Sequence, residues 1–293
     1  MGKIYDGIIG LVVGDALGVP VEFRRRDTYK VSDMIGYGTY EQPPGTWSDD
    51  SSLTLATLES IARLGRIEPA DIMQNFAKWY FEAEFTPYGE VFDVGSTTRE
   101  AILHYQMGMP VDCCGGTDFR DNGNGALMRI LPVALVPHSS ADVRRVAGLT
   151  HNHPISNQAC AVYVEIAEML LARQSKAAVA QTIKDKPSCL LSELKRLAKL
   201  DNLSREQIKS TGYVVDTLEA ALWCWLHTDN YRDCVLAAVN LGDDTDTLAA
   251  VAGGLAGIYY GCGGERGVPA EWIAQIARWQ WIKELCAVLE AVE

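Results

Sequence analysis

This 293-residue sequence predicts an all-α fold on three observations. Apolar residues recur at helical spacing, no run alternates as a half-buried strand must, and prolines fall where the periodic segments begin or end. The helices run in order from the N-terminus. GIIGLVVGDALG is an apolar helix carrying Gly7, Gly10, Gly14 and Gly18 at spacings of three or four. GTWSDDSSLTLATLES opens a second, with Leu55, Leu58 and Ala62 on one face, and Ile72, Phe76 and Tyr80 define a third. STTREAIL and the apolar run after GNGALMR follow, then a helix with Val215, Leu218 and Leu222 on one face. NLGDDTDTLAAVAGGLAGIYYG supplies a second glycine-lined helix, with Gly253, Gly254 and Gly257. Pro43, Pro44, Pro69, Pro87, Pro110, Pro154, Pro187 and Pro269 punctuate roughly a dozen helices in all. No linker, repeat or low-complexity tract interrupts them, so residues 1–293 read as a single domain.

Each interior glycine costs a helix about 1 kcal/mol against alanine, so two glycine-lined helices require a reason. Close approach of two backbones supplies one, with or without a function attached.

Composition removes several classes. A formal charge of −12 repels nucleic acid and anionic membranes, and the one basic run, Arg24 to Arg26, reads as a solvated loop. The N-terminal apolar stretch Ile8 to Val13 is too short to cross a bilayer, and Lys3 and Asp6 do not make a signal-peptide n-region. Asp6 stands where a myristoylation motif needs Ser or Thr. Eight cysteines without a C-x-x-C pair read as reduced thiols of a cytoplasmic protein, and Cys113–Cys114 lack zinc spacing.

Two helix starts carry the chemistry. Asp49 and Asp50 stand at one, and Asp243, Asp244 and Asp246 at the other. Ser, Thr and Asp are favoured caps, and acids suit a helix N-terminus, so each cluster alone reads as a cap. Together they hold more negative charge than capping uses, and crowded carboxylates raise one another's pKa unless a cation lies between them. Carboxylate and hydroxyl oxygens favour Mg²⁺ or Mn²⁺ over zinc. Such a site orients an oxygen-rich substrate and acidifies a water, which suits hydrolysis.

The chain resembles the ADP-ribosylglycohydrolase family in GLVVGDALGVPVEF, GTWSDDSSLTLATLES, FDVGSTTREAI, DNGNGALMRILPVAL, LTHNHP, STGYVVDTLEAALW and LGDDTDTLAAVAGGLAGIYYG, in family order. The resemblance implies an all-α orthogonal helical bundle with a binuclear magnesium or manganese centre. It assigns Ser48, Asp49, Asp50, Asp244, Asp246 and Thr247 as ligands of two Mg²⁺ or Mn²⁺ ions. Ser48 replaces the family's usual threonine, and Asp243, where the family often has glycine, becomes a cap or outer residue. It further implies that Gly123, Asn124 and Gly125, with Asn122, Gly115 and Gly116, bind phosphate and ribose through backbone N–H groups. His151 matches the family's ligand-side histidine, whereas His153 has no counterpart. Tyr213 matches an adenine-stacking aromatic, Glu22 a glutamate near the metals, and Asp93, followed by Gly95, an acid beside the acceptor. Arg129 either neutralises phosphate or braces the carboxylates.

The implied activity is hydrolysis of the N-glycosidic bond between ADP-ribose and a protein arginine. Asp93, Asp50 and Asp244 act at the reaction centre, and the partner is an ADP-ribosylated protein or small ADP-ribosyl compound. Three alternatives stay open: cleavage from serine or an ester, metal-dependent phosphate hydrolysis, and a crystallin-like structural role.

Overall fold

The computed structural model describes residues 2–186 and 189–291, so Pro187 lies outside the described residues. The fold is all-α, as the periodicity predicts. Thirteen α-helices occur among the described residues: α1 (Lys3–Gly18), α2 (Asp49–Leu64), α3 (Pro69–Glu82), α4 (Ser96–Gln106), α5 (Leu131–Ala134), α6 (Ser140–Gly148), α7 (Pro154–Leu171), α8 (Lys176–Asp185), α9 (Val214–Leu226), α10 (Tyr231–Val239), α11 (Thr245–Tyr260), α12 (Ala270–Ile273) and α13 (Trp279–Glu290). Among the described residues extended pairing is confined to isolated bridges, including Gly116 with His151 and Gly123 with Tyr213. Pro69 and Pro154 sit in the first turns of α3 and α7, where a missing N–H costs nothing.

The centre of the molecule is the antiparallel pair of α1 and α11, and its glycines explain why. A Cβ built on Gly10 falls 2.5 Å from the Gly253 carbonyl oxygen, and one on Gly14 falls 2.1 Å from that of Ala249. At Gly18 it falls 2.3 Å from the Asp246 Cα, and at Gly257 2.2 Å from the Asp6 oxygen. The two backbones therefore touch along most of their length. Tyr231 and Tyr163 donate their hydroxyls to the Gly10 and Val251 carbonyls, 2.6 and 3.0 Å away. One expectation needs correction here. The run Lys3–Val21, at 19 residues and mean hydropathy 1.6, meets the length and composition of a membrane span, because glycine and alanine extend the apolar stretch past Val13. Its most apolar window is entirely buried inside the protein.

The first turn of α2 is tied to α1 by one side chain. Asp15, fully buried, accepts hydrogen bonds from the backbone N–H groups of Ser48 and Ser51, at 3.0 Å each, and from the Ser51 hydroxyl. Orphan donors at the start of α2 are thus satisfied by a carboxylate from another helix. The predicted face of Leu55, Leu58 and Ala62 is buried, as are Val215, Leu218 and Leu222 in α9. Ile72 and Phe76 are buried in α3, with Tyr80 half-buried.

Gly14→Ala tests the backbone contact. At an ordinary helical site alanine gains about 1 kcal/mol over glycine. Overpacking against the Ala249 carbonyl reverses that sign, for an expected net loss of about 1–3 kcal/mol. Urea denaturation gives the answer, and a stabilised variant contradicts the contact.

Candidate metal and substrate site

The C-terminal end of α1, the first turn of α2 and the first turn of α11 meet at one place, because Gly18 packs on Asp246 and Asp15 holds Ser48. This junction unites the two acidic clusters. Ser48 is the N-cap of α2, accepting from the Asp50 N–H, and its hydroxyl also donates to Asp50 Oδ2 at 3.3 Å. Thr247 Oγ1 donates to the same Asp50 oxygen at 3.2 Å. Asp50 thereby links both clusters. Asp244 occupies the N-cap position of α11 without capping it through its side chain. Its Oδ2 accepts instead from Asn124 Nδ2 at 2.8 Å. Ser48, Asp49, Asp50, Asp246 and Thr247 are buried.

Two further acids arrive on loops. Phe23 N–H donates to the Asp243 carbonyl at 2.7 Å and Asp243 N–H to the Arg24 carbonyl at 2.9 Å, which folds the chain after Glu22 against the start of α11. The Arg24–Arg26 run is consequently not a wholly solvated loop. Arg24 and Arg25 are exposed, but Arg26 donates to the carbonyls of Leu241, Arg205 and Ile208 at 2.6–2.9 Å. Glu22 is buried as a result. Asp243 adopts φ +59°, a left-handed conformation that Asp tolerates and glycine adopts freely.

Asp93 also lies in the left-handed region, at φ +54°, and the N-cap of α4 is Gly95, so Asp93 is no cap. Its carboxylate has oxygens within 4.8 Å of those of Glu22 and Asp246. The loop before α4 thus turns Asp93 inward onto the first turn of α11, beside the second acidic cluster.

Burial and mutual repulsion dominate the electrostatics. Burial, then the charges of Asp93 and Asp50, raises the Asp49 pKa well above the usual aspartate range. Asp50 and Asp246 are raised in the same way, by burial and then chiefly by Asp15 and Glu22 respectively. Glu22 is pushed up to about 9 by burial and by Asp93. Asp244 is raised by burial, opposed by the Asn124 hydrogen bond. Asp50 Oδ1, Asp244 Oδ1, Asp246 Oδ2 and Glu22 Oε2 are buried with no hydrogen-bond donor among the described residues. Carboxylate oxygens left without donors around the first turns of α2 and α11 are what a hard divalent cation requires, and its charge would favour their ionised form, so the residues present fit the group.

Above this floor lies a cavity of about 280 Å³. Glu22, Asp49, Asp93, Asp244 and Thr247 reach it from the acidic side, facing Gly95, Gly123, Asn124, Gly125 and His151. Ser48, Asp50 and Asp246 lie beneath, outside its lining. Other expectations change. Asn122 does not line the cavity, because its amide is consumed by Ser156 and the Phe119 carbonyl. Gly115 packs on the Gly148 carbonyl, where a Cβ would stand 2.1 Å away, and Gly116 bridges to His151. Both serve packing. Tyr213 is the half-buried N-cap of α9, beside the cavity and absent from its lining. Arg129 performs neither of its expected roles: it is buried, donating to Val146, Ala147 and Thr150.

Sequence reasoning assigned no role to Asp15, Phe23, Tyr40, Thr98 or Arg120. Asp15 left a signal, as the one acid beyond the first turn of an apolar helix. Burial raises the Asp93 carboxyl, a hydrogen bond from Tyr40 opposes that rise, and nothing in the local sequence marks Tyr40. Arg120 is the cationic side chain among the residues lining the cavity.

The family model for ADP-ribosylglycohydrolase matches residues 1–293. The chain is 33% identical to the ADP-ribosylarginine hydrolase Tri1 of Serratia proteamaculans (strain 568), covering 99% of this chain and 79% of that protein. It is 32% identical to the ADP-ribosyl-[dinitrogen reductase] glycohydrolase of Rhodospirillum rubrum, over 94% of this chain and 90% of the relative. A solved structure titled ADP-ribosylglycohydrolase-related protein complex superposes with a TM-score of 0.84 at 31% identity, covering 99% and 97% of the two chains.

The raised carboxyl pKa values make stability depend on pH and cation together. Asp15, ordinarily 3.8, is held up to about 6 by burial despite its hydrogen bonds from Ser51 and Ser48. Between those values the unfolded chain has released a proton that the folded protein keeps, so this contribution falls as pH rises. Asp49, Asp50 and Asp246 extend the same sign to higher pH. In thermal melts, Mg²⁺ or Mn²⁺ is expected to raise the Tm of chelator-treated protein more at about pH 7.5 than at about pH 5. An increment equal at both pH values, or absent, contradicts the cation site.

Proposed function

The chain belongs to the ADP-ribosylglycohydrolase family, and from that premise we propose a divalent-cation-dependent hydrolase that removes ADP-ribose from modified arginine. Hydrolysis of a glycosyl bond is the chemistry common to the family. The observation that carries the finer reading is the convergence of Glu22, Asp93 and Asp246 carboxylates within 4.8 Å beside the cavity. A wall so negative suits a cation and a positively charged leaving group, and arginine's guanidinium is such a group. The names of the relatives from Serratia and Rhodospirillum support a substrate of this kind.

In the proposed mechanism Ser48, Asp49, Asp50, Asp244, Asp246 and Thr247 would hold two Mg²⁺ or Mn²⁺ ions, which when bound orient ribose hydroxyls and acidify water. The backbone of Gly123 to Gly125, with Asn124, meets the pyrophosphate and ribose without adding side-chain charge. Asp93 holds the guanidinium through charge-assisted hydrogen bonds. As the C1′–N bond breaks, positive charge develops on the ribose ring, and Asp50 and Asp244 stabilise it. Water adds to C1′, its proton passes to the Asp93 carboxylate, and Asp93 hands that proton on to the departing nitrogen, which leaves as guanidinium. The reduced thiols of Cys113, Cys114, Cys160, Cys224, Cys234, Cys262 and Cys286 suit a cytoplasmic setting for this activity.

Turnover of ADP-ribosyl-arginine, ADP-ribosyl-serine and an ADP-ribose ester, with and without Mg²⁺, tests the reading. Arginine release that requires the cation is expected; release from serine or the ester alone contradicts the acceptor. Asp50→Asn should lower kcat by about 10²-fold or more. Asp93→Asn should lose turnover to a similar degree while calorimetry shows ADP-ribose affinity nearly unchanged. A variant that loses cation affinity first assigns Asp93 to the metal ligands.

A further inference from the structure

Behind the cavity wall a chain of three side chains connects the core to His151. Arg129 is buried with its guanidinium 4.6 Å from the Phe76 ring centroid. It donates to the Val146 carbonyl at 3.2 Å and to Thr150 Oγ1 at 2.8 Å. Thr150 Oγ1 in turn lies 2.8 Å from His151 Nδ1, and both residues are buried. Arginine has donors only, so the threonine oxygen is the acceptor in the first bond. Its own hydrogen has one acceptor within reach among the described residues, the imidazole Nδ1; a threonine that accepted there too would leave that hydrogen buried and unpaired.

We propose that Arg129 and Thr150 are positioning residues that lock His151 as the Nε2–H tautomer, an uncharged donor for phosphate or ribose oxygens of the ligand. The ring is neutral, pushed down to about 3 by burial and by the Arg129 charge behind it. With Nδ1 accepting from Thr150, the remaining proton sits on Nε2. That edge lies against bare backbone. A Cβ on Gly125 would stand 2.7 Å from His151 Cε1, and one on Gly123 3.3 Å from Nε2. His151 Nε2 has no hydrogen-bond partner among the described residues, and His151 lines the cavity. The two glycines thus leave the N–H open to a ligand. The arrangement gives the buried Arg129 a role that neither direct phosphate binding nor bracing of the carboxylates provides: it fixes the Thr150 hydroxyl that meets Nδ1, and its charge adds to burial in keeping the imidazole uncharged. The identity of the ligand rests on the function proposed above, whereas the tautomer does not.

The test is ¹⁵N NMR of histidine-labelled protein combined with ADP-ribose titration. Wild type is expected to show His151 as the Nε2–H tautomer with a hydrogen-bonded Nδ1. Thr150→Val should remove the hydrogen-bonded Nδ1 signal and weaken ADP-ribose binding about tenfold, and Thr150→Ser should restore both. An Nδ1–H tautomer in wild type overturns the proposal, as does a Thr150→Val spectrum and affinity equal to wild type. If wild type shows the expected tautomer but binds no ADP-ribose, the substrate reading fails and the relay stands.

Discussion

Backbone contact between α1 and α11 is the constraint on which the site depends. Glycine at positions 10, 14, 18, 253 and 257 lets two helices approach until carbonyl groups and Cα atoms meet, and this sets where each helix ends relative to the other. The C-terminal end of α1 comes to rest on Asp246, and Thr245 Oγ1 donates to the Gly18 carbonyl at 2.9 Å. Asp15, one turn earlier on α1, then reaches the first turn of α2. A side chain at any of these glycines would force the two backbones apart, and at Gly18 it would strike Asp246 directly.

The packing forces together charges that repel. Hydrophobic burial around the junction is extensive, with Leu17, Leu53 and Leu248 wholly inaccessible, and it supplies the free energy that holds buried acids in place. Helix N-termini and hydroxyls from Ser48, Ser51 and Thr247 relieve part of the penalty. The carboxylate oxygens that remain without donors mark the unrelieved part. Tolerating such oxygens in the core is a sign of function, since a fold stabilised for its own sake would replace them with apolar groups.

Much of this was legible in sequence, because helix starts and glycine spacing are local signals. Asp49, Asp50, Asp244 and Asp246 are close in the chain to the hydroxyls and helices that position them, and their surplus over capping needs is countable. Asp93 and Glu22 were harder. Their burial depends on loops held by distant partners, Asp243 for the chain after Glu22 and the left-handed turn for Asp93, so neither depth nor company could be read locally. Asn122 and Arg129 failed for the opposite reason. Both sit in a glycine-rich motif that borders the site, but their side chains turn away to satisfy Ser156 and the carbonyls of Val146 and Ala147. Motif membership located the wall of the cavity and did not say which side chains face it.

The stoichiometry and affinity of cation binding bear most directly on this account. Calorimetric titration of chelator-treated protein with Mn²⁺ is expected to reveal two sites per chain, and Asp50→Ala, which removes the carboxylate joining both clusters, is expected to weaken both together. Absence of binding in the wild type, or two sites of unchanged affinity in Asp50→Ala, would contradict the claim that the helix junction is built around a shared metal centre.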